Sequence, residues 1–178
     1  MRRISEHSSD LAFPMPDLHF RTAQPGDAAC CYEIEASAYE GDEAATLEKI
    51  QTRIAQYPEG FLVLEVEGQL VGFINSGCAH VVEMADEAFK ELIGHAADAP
   101  NVVIMSVVVK PERQGQGYAR LLMDRFVARM KALDKRSIHL MCKPSHVELY
   151  RRLGYQYVRP SASDHGGMAW HEMVMALA

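Results

Sequence analysis

Apolar and polar residues alternate through Leu18, His19, Phe20, Arg21 and Thr22, and a period of two predicts a half-buried strand. Pro25-Gly26-Asp27 turns it, with Asp27 placed as the N-cap of a helix. Ala28, Cys31, Tyr32, Glu35 and Tyr39 then recur at the spacing of one helix face, and Gly41 breaks the pattern. A second helix is expected over residues 42–57, with Ala45, Ile50 and Ile54 turned inward, ending before Pro58. Residues 61–66 and 70–74 read as strands joined at Glu67-Gly68-Gln69, a hairpin signal. Residues 83–93 are weakly helical, and 94–100 form a loop.

The chain is organised around residues 101–123, NVVIMSVVVKPERQGQGYARLLM. Its apolar run from Val102 to Val109, interrupted only by Ser106, predicts a buried central strand. Pro111 ends the run, because proline cannot continue a ladder. A glycine turn follows, then a helix with Leu122, Phe126, Met130 and Leu133 on one stripe. Strand, glycine turn and helix together point free backbone N–H groups at an anion. Downstream, residues 137–142 read as a strand, 144–153 as a helix capped by Gly154, and 155–158 and 168–177 as strands around a polar loop. The order implies an α/β fold: a mixed central sheet of about seven strands with helices on both faces.

Composition narrows the class. The chain has 178 residues, 48% hydrophobic and 24% charged, within the range of one globular domain. Residues 17–178 are taken as that domain and 1–16 as a poorly ordered leader, given its polarity and two prolines. The net charge of −6 argues against a nucleic-acid surface. It is uneven: residues 27–100 hold 15 acids and 3 bases, and residues 110–136 hold 8 bases and 3 acids. A basic segment at the glycine turn and an acidic remainder suit an anionic co-substrate and a cationic acceptor. Cys30, Cys31, Cys78 and Cys142 show neither a CxxC nor a zinc spacing, so no metal is expected. No signal peptide or membrane span is read, and a cytoplasmic setting is expected.

The glycine turn carries the first resemblance. Arg120 stands where a dinucleotide fingerprint needs its third glycine, and no GKS or GKT follows. Gln114-Gly115-Gln116-Gly117-Tyr118-Ala119 is instead similar to Q-x-x-G-x-A, the pyrophosphate loop of the GNAT acetyltransferases. The order of elements resembles that fold over residues 17–178. Tyr32-Glu33-Ile34-Glu35, Leu140-Met141-Cys142, Leu149-Tyr150-Arg151-Arg152-Leu153-Gly154-Tyr155 and Trp170-His171-Glu172-Met173 resemble the arylalkylamine N-acetyltransferase branch. Asp42-Glu43-Ala44-Ala45 and His165-Gly166-Gly167 resemble its microbial and fungal members, which include a polyamine acetyltransferase.

Acetyl transfer from a thioester to an amine asks for removal of a proton from the ammonium, donors for the oxyanion and a proton for the leaving thiolate. The resemblance makes Tyr150 the acid for the thiolate. It makes Val107, Val108 and Val109 the strand whose backbone pairs with the pantetheine arm of coenzyme A. The implied cofactor set is completed by Gln114, Gly115, Gln116, Gly117, Tyr118, Ala119, Arg120 and Lys143, the last standing where many GNAT proteins have asparagine. The base does not carry over: the two histidines of the vertebrate enzymes align with Val103 and Met105. Glu43, His95 and His165 are the local candidates, beside a water relay. For the amine, Glu33, Asp42, Glu43 and Asp164 offer carboxylates, and Tyr39, Phe73, Met141 and Trp170 offer faces.

The expected function is transfer of acetyl from acetyl-CoA to a small primary amine, arylalkylamine or polyamine-like, in one ternary complex. Partners are acetyl-CoA and that amine, with no nucleic acid and no membrane, as monomer or homodimer. A protein or peptide N-acetyltransferase and a non-catalytic acyl-CoA sensor are the alternatives.

Overall fold

The computed structural model describes residues 15–177; all but two residues of the expected leader fall outside them. The strands are β1 (Leu18–Thr22), β2 (Phe61–Val66), β3 (Gln69–Ala79), β4 (Asn101–Val109), β5 (Ser137–Cys142), β6 (Gln156–Pro160) and β7 (His171–Ala176). The α-helices are α1 (Ala28–Ala38), α2 (Leu47–Gln56), α3 (Tyr118–Ala132) and α4 (Val147–Arg152). They build a seven-stranded mixed sheet in the order β1-β2-β3-β4-β5-β7-β6.

Alternation on the strands sorts the core into two faces. Leu62, Leu64, Ile74, Val102 and Ile104 meet Leu122, Met123, Phe126 and Met130 of α3. Phe61, Val63, Phe73 and Val108 meet Cys31 and Ile34 of α1 and Ile50 and Ile54 of α2. Burying such side chains is worth about 1.5–3 kcal/mol each, so both helical layers hold to the sheet.

Several local expectations are corrected. The second helix starts at Leu47, where the Thr46 side chain accepts from the Lys49 N–H, and residues 41–43 form a separate 3-10 turn. Asp27 makes no side-chain cap; its carboxylate takes Arg21 and the Gln24 N–H instead. Leu133 is exposed beyond the end of α3. β3 runs five residues past Ile74, because β4 continues to pair with it there.

Two irregularities of β4 position the site. Asn75 pairs with Ser106 and Ser76 with Ile104, leaving Met105 as an extra, bulged residue. β5 pairs with β4 in parallel only from Asn101↔Ser137 to Val103↔His139. Beyond Val103 the two strands diverge, and one edge of β4 faces a gap in the middle of the sheet.

Candidate active site

The gap opens a cavity of about 480 Å³ that runs from the glycine turn, past the β4 edge, to the α1–α2 side. Backbone N–H and C=O of one strand residue point to the same side. The Val107 carbonyl accepts from the Tyr39 hydroxyl at 2.9 Å, and the Val109 carbonyl accepts from the Gln114 amide at 3.0 Å. Neither carbonyl is therefore spent on β3, and the N–H groups of Val107 and Val109 share that open edge. An extended amide chain can add there as a strand does.

At the cofactor end, Gly115 and Gly117 have φ of +77° and +84°, the left-handed region that favours glycine. A Cβ on either would meet no protein atom within 4 Å, so the space before both is free for a ligand. Gly117 is the N-cap of the 15-residue α3, whose first N–H groups and dipole favour an anion. Val107, Val108, Val109, Gln114, Gly115, Gly117, Tyr118 and Ala119 line the cavity. Gln116 and Arg120 do not; both are exposed, and Arg120 leans towards Asp124 at 3.9 Å. Arg113 and His146 line it without having been singled out in the sequence. These residues fit coenzyme A: a strand edge for the pantetheine, and positive-φ glycines and a helix N-terminus for the pyrophosphate.

Tyr150, from α4, lines the middle of the cavity, with its ring edge-on to Tyr155 at 5.8 Å. Burial, then Cys142, pushes its phenol well above the usual value, so it stays protonated and able to donate. Cys142 lines the same region and burial raises its thiol to about 11, which keeps it a poor nucleophile.

On the acceptor side Tyr39, Glu43, Met141, Lys143, His165 and Trp170 are brought together. Glu43 is buried and its carboxylate meets Lys143 Nζ at 3.1 Å, so Lys143 is turned to the acceptor side of the cavity. His165 links three segments: Nε2 lies 3.1 Å from the Glu43 carbonyl, Nδ1 lies 3.2 Å from Glu87, and its own carbonyl takes the Trp170 indole N–H. Arg53 of α2 donates to the Lys90 carbonyl through Nε and Nη2, tying to α2 the 87–91 turn whose Phe89 and Lys90 line the cavity.

Five further nominated residues lie elsewhere. Glu33, Asp42 and Asp164 are exposed and do not line the cavity, and Phe73 is buried in the core beneath α1 and α2. His95 packs on Tyr57 at 4.6 Å, on the α3 side of the sheet. Its Nδ1 accepts from the Cys78 N–H at 2.9 Å, and burial lowers its pKa, so it serves as a neutral acceptor within the fold. Glu35, on α1, was not nominated; it is buried and lines the cavity. The available signal was a carboxylate on the otherwise apolar stripe of that helix.

The acetyltransferase (GNAT) family matches residues 28–155, most of the chain and all of the cofactor end. The chain belongs to this family. It is an acetyl-CoA-dependent N-acetyltransferase. As a GNAT protein it is 26% identical to serotonin N-acetyltransferase of Mesocricetus auratus, over 92% of this chain and 79% of that one. Its fold matches the loading GNATL domain of CurA from Lyngbya majuscula, with a TM-score of 0.80 and 14% identity over 90% of this chain and 98% of that one. It also matches yncA from Salmonella typhimurium with its cofactor acetyl-CoA, with a TM-score of 0.65 and 20% identity over 90% and 94% of the two chains. Among the described residues no helix is long and apolar enough to cross a membrane, and no cluster of metal-ligating side chains forms.

Proposed function

We propose that the acceptor of this GNAT enzyme is a small primary amine. The observation that carries this is the tying together of the turns that bound the acceptor side. His165 joins the Gly41–Glu43 turn to the Glu87–Glu91 turn, and Arg53 holds the latter down. A chamber walled by these two turns suits a small molecule, whereas a peptide asks for a longer groove. Aromatic Tyr39, Phe89 and Trp170 among its walls, with carboxylates beside them, suit a cation on an apolar body. The similarity to a serotonin N-acetyltransferase favours the same reading.

When bound, acetyl-CoA supplies the thioester whose acetyl group is transferred. The N–H groups of Val107 and Val109 hold the pantetheine arm, and Gly115, Gly117 and the start of α3 hold the pyrophosphate. Tyr150, kept protonated by burial, donates to the departing sulfur. No acyl-enzyme is needed, since the chamber meets the cofactor channel at the gap between β4 and β5.

The test is acetyl-CoA-dependent thiol release with tryptamine, phenethylamine, spermidine, a dipeptide and a lysine peptide. Turnover of the small amines with little on the peptides is expected. Preference for the lysine peptide would reassign the acceptor to protein. Coenzyme A binding with no turnover across the panel would favour a sensor.

A further inference from the structure

At the inner end of the acceptor chamber a carboxylate is half used. Glu35 is 2% exposed and lines the cavity. Its Oε1 accepts twice, from the Ala45 N–H at 3.1 Å and from the Ser106 hydroxyl at 2.9 Å. Its Oε2 is buried and has no partner. An ionised carboxylate is an acceptor only, and leaving one oxygen unpaired in a buried site costs about 1–3 kcal/mol.

The surroundings are built to aim this group. Ser106 sits on β4 beside the Met105 bulge, opposite Asn75, and its hydroxyl fixes one lobe of the carboxylate. The Ala45 N–H fixes the same lobe from the stretch before α2. Arg53 of α2 and Lys90 above it are the cations that face Glu35; Tyr39 and Cys31 share its helix, and Glu43 stands across the chamber near Tyr39. Neither cation bridges to it. Arg53 spends three contacts on Asn75 and the Lys90 carbonyl, and among the described residues no ion pair to Glu35 forms within 4.0 Å.

We infer that Glu35 is the group that receives the acceptor's ammonium and removes its proton, with Ser106 as the residue that positions it. The inference rests on the small-amine reading above and gives that site its base. Glu43 is paired with Lys143, and His165 is held by Glu87 and the Glu43 carbonyl, whereas Glu35 is a buried carboxylate of the chamber with an oxygen that neither a cation nor a donor reaches. The protons balance as follows. The ammonium gives one proton to Glu35 Oε2, and the nitrogen bonds the acetyl carbon as the carbon–sulfur bond breaks. The Tyr150 proton goes to sulfur, the second amine proton restores Tyr150 through water, and Glu35 releases its own to solvent.

The inference is tested with Glu35→Gln, which keeps the shape and the Oε1 contacts, read by kinetics and by calorimetry. Wild-type kcat/KM for phenethylamine should stay nearly level from about pH 7 to pH 9, because the enzyme binds the ammonium form. Glu35→Gln must wait for amine already neutral in solution. Its kcat/KM should be down by about 10²–10³ at pH 7 and recover roughly tenfold per pH unit. Calorimetric affinity for phenethylamine with coenzyme A present should fall at least about tenfold at pH 7, with affinity for coenzyme A itself unchanged. Ser106→Ala should lose about three- to tenfold in kcat/KM and keep the level profile. A Glu35→Gln enzyme with the wild-type profile and amine affinity would overturn the inference and leave the small-amine reading standing. A wild-type enzyme that neither turns over nor binds any small amine would overturn both.

Discussion

The Tyr39 hydroxyl donates to the Val107 carbonyl at 2.9 Å, so a side chain at the end of α1 completes a hydrogen bond on the one edge of β4 that β5 leaves open. Burial pushes this phenol far above its usual value, so the donor is never lost by ionisation in the working pH range. Tyr39→Phe leaves that carbonyl without a partner. A stability loss of about 1 kcal/mol is expected in urea unfolding, with acetyl-CoA affinity within about threefold of wild type. A tenfold loss of cofactor affinity would mean that the hydroxyl sets the position of the strand edge.

Tyr150→Phe keeps the packing against Tyr155 and removes only the proton donor. Its kcat should drop by roughly 10–10³ with the dissociation constant for coenzyme A nearly unchanged. Steady-state kinetics with equilibrium cofactor binding separates the two, and wild-type turnover would remove Tyr150 from the chemistry.

Gly117→Val acts on cofactor binding itself. Valine at φ +84° is strained by about 1–2 kcal/mol, and its branches occupy the space before the helix N-terminus. Coenzyme A affinity measured by calorimetry should fall at least about tenfold. Undiminished affinity would place the phosphates elsewhere.

Glu43 and Lys143 form an ion pair at 3.1 Å, with the carboxylate side chain 4% exposed. Lys143→Met strands a buried carboxylate and should cost about 2–4 kcal/mol. Glu43→Gln in the same background should restore a large part of that. A double-mutant cycle in urea gives the coupling, and additive losses would show that the two do not interact.

Asp27 supplies a stability term with a defined pH window. The Arg21 guanidinium holds its carboxyl below the usual carboxylate range, with the Gln24 N–H helping and burial opposing. A carboxyl whose pKa is lower folded than unfolded stabilises fully above the unfolded value, and the gain is lost as pH falls through the folded value. Asp27→Asn should therefore lower the melting temperature by a few degrees at pH 7 and have little effect near pH 2. An equal deficit at both pH values would rule out the charged pair as the source.

Regular elements of this chain were legible because each rests on a local period. The alternation of 18–22 and the apolar run of 102–109 became strands, and the seven-stranded mixed sheet followed from their order. The Q-x-x-G-x-A turn was legible for a similar reason: positive φ at Gly115 and Gly117 is a local demand. Side chains that meet across the chain were read less well. Within one helical turn, Glu33 faces solvent and Glu35 faces the chamber, although both are carboxylates in one short motif. His95 and His165 are both loop histidines, yet one is packed behind the sheet and the other reaches Glu87 and the Glu43 carbonyl.

The sequence by itself determined the strand–turn–helix that fits the cofactor and the helical setting of Tyr150, because both depend on residues a few positions apart. Only the tertiary structure decided which carboxylate enters the acceptor chamber. That choice depends on the Met105 bulge and on the divergence of β5 from β4, which bring Ser106 to Glu35 across 71 positions of sequence. No period in the chain encodes a contact of that length; it exists only once both helical layers have packed on the sheet.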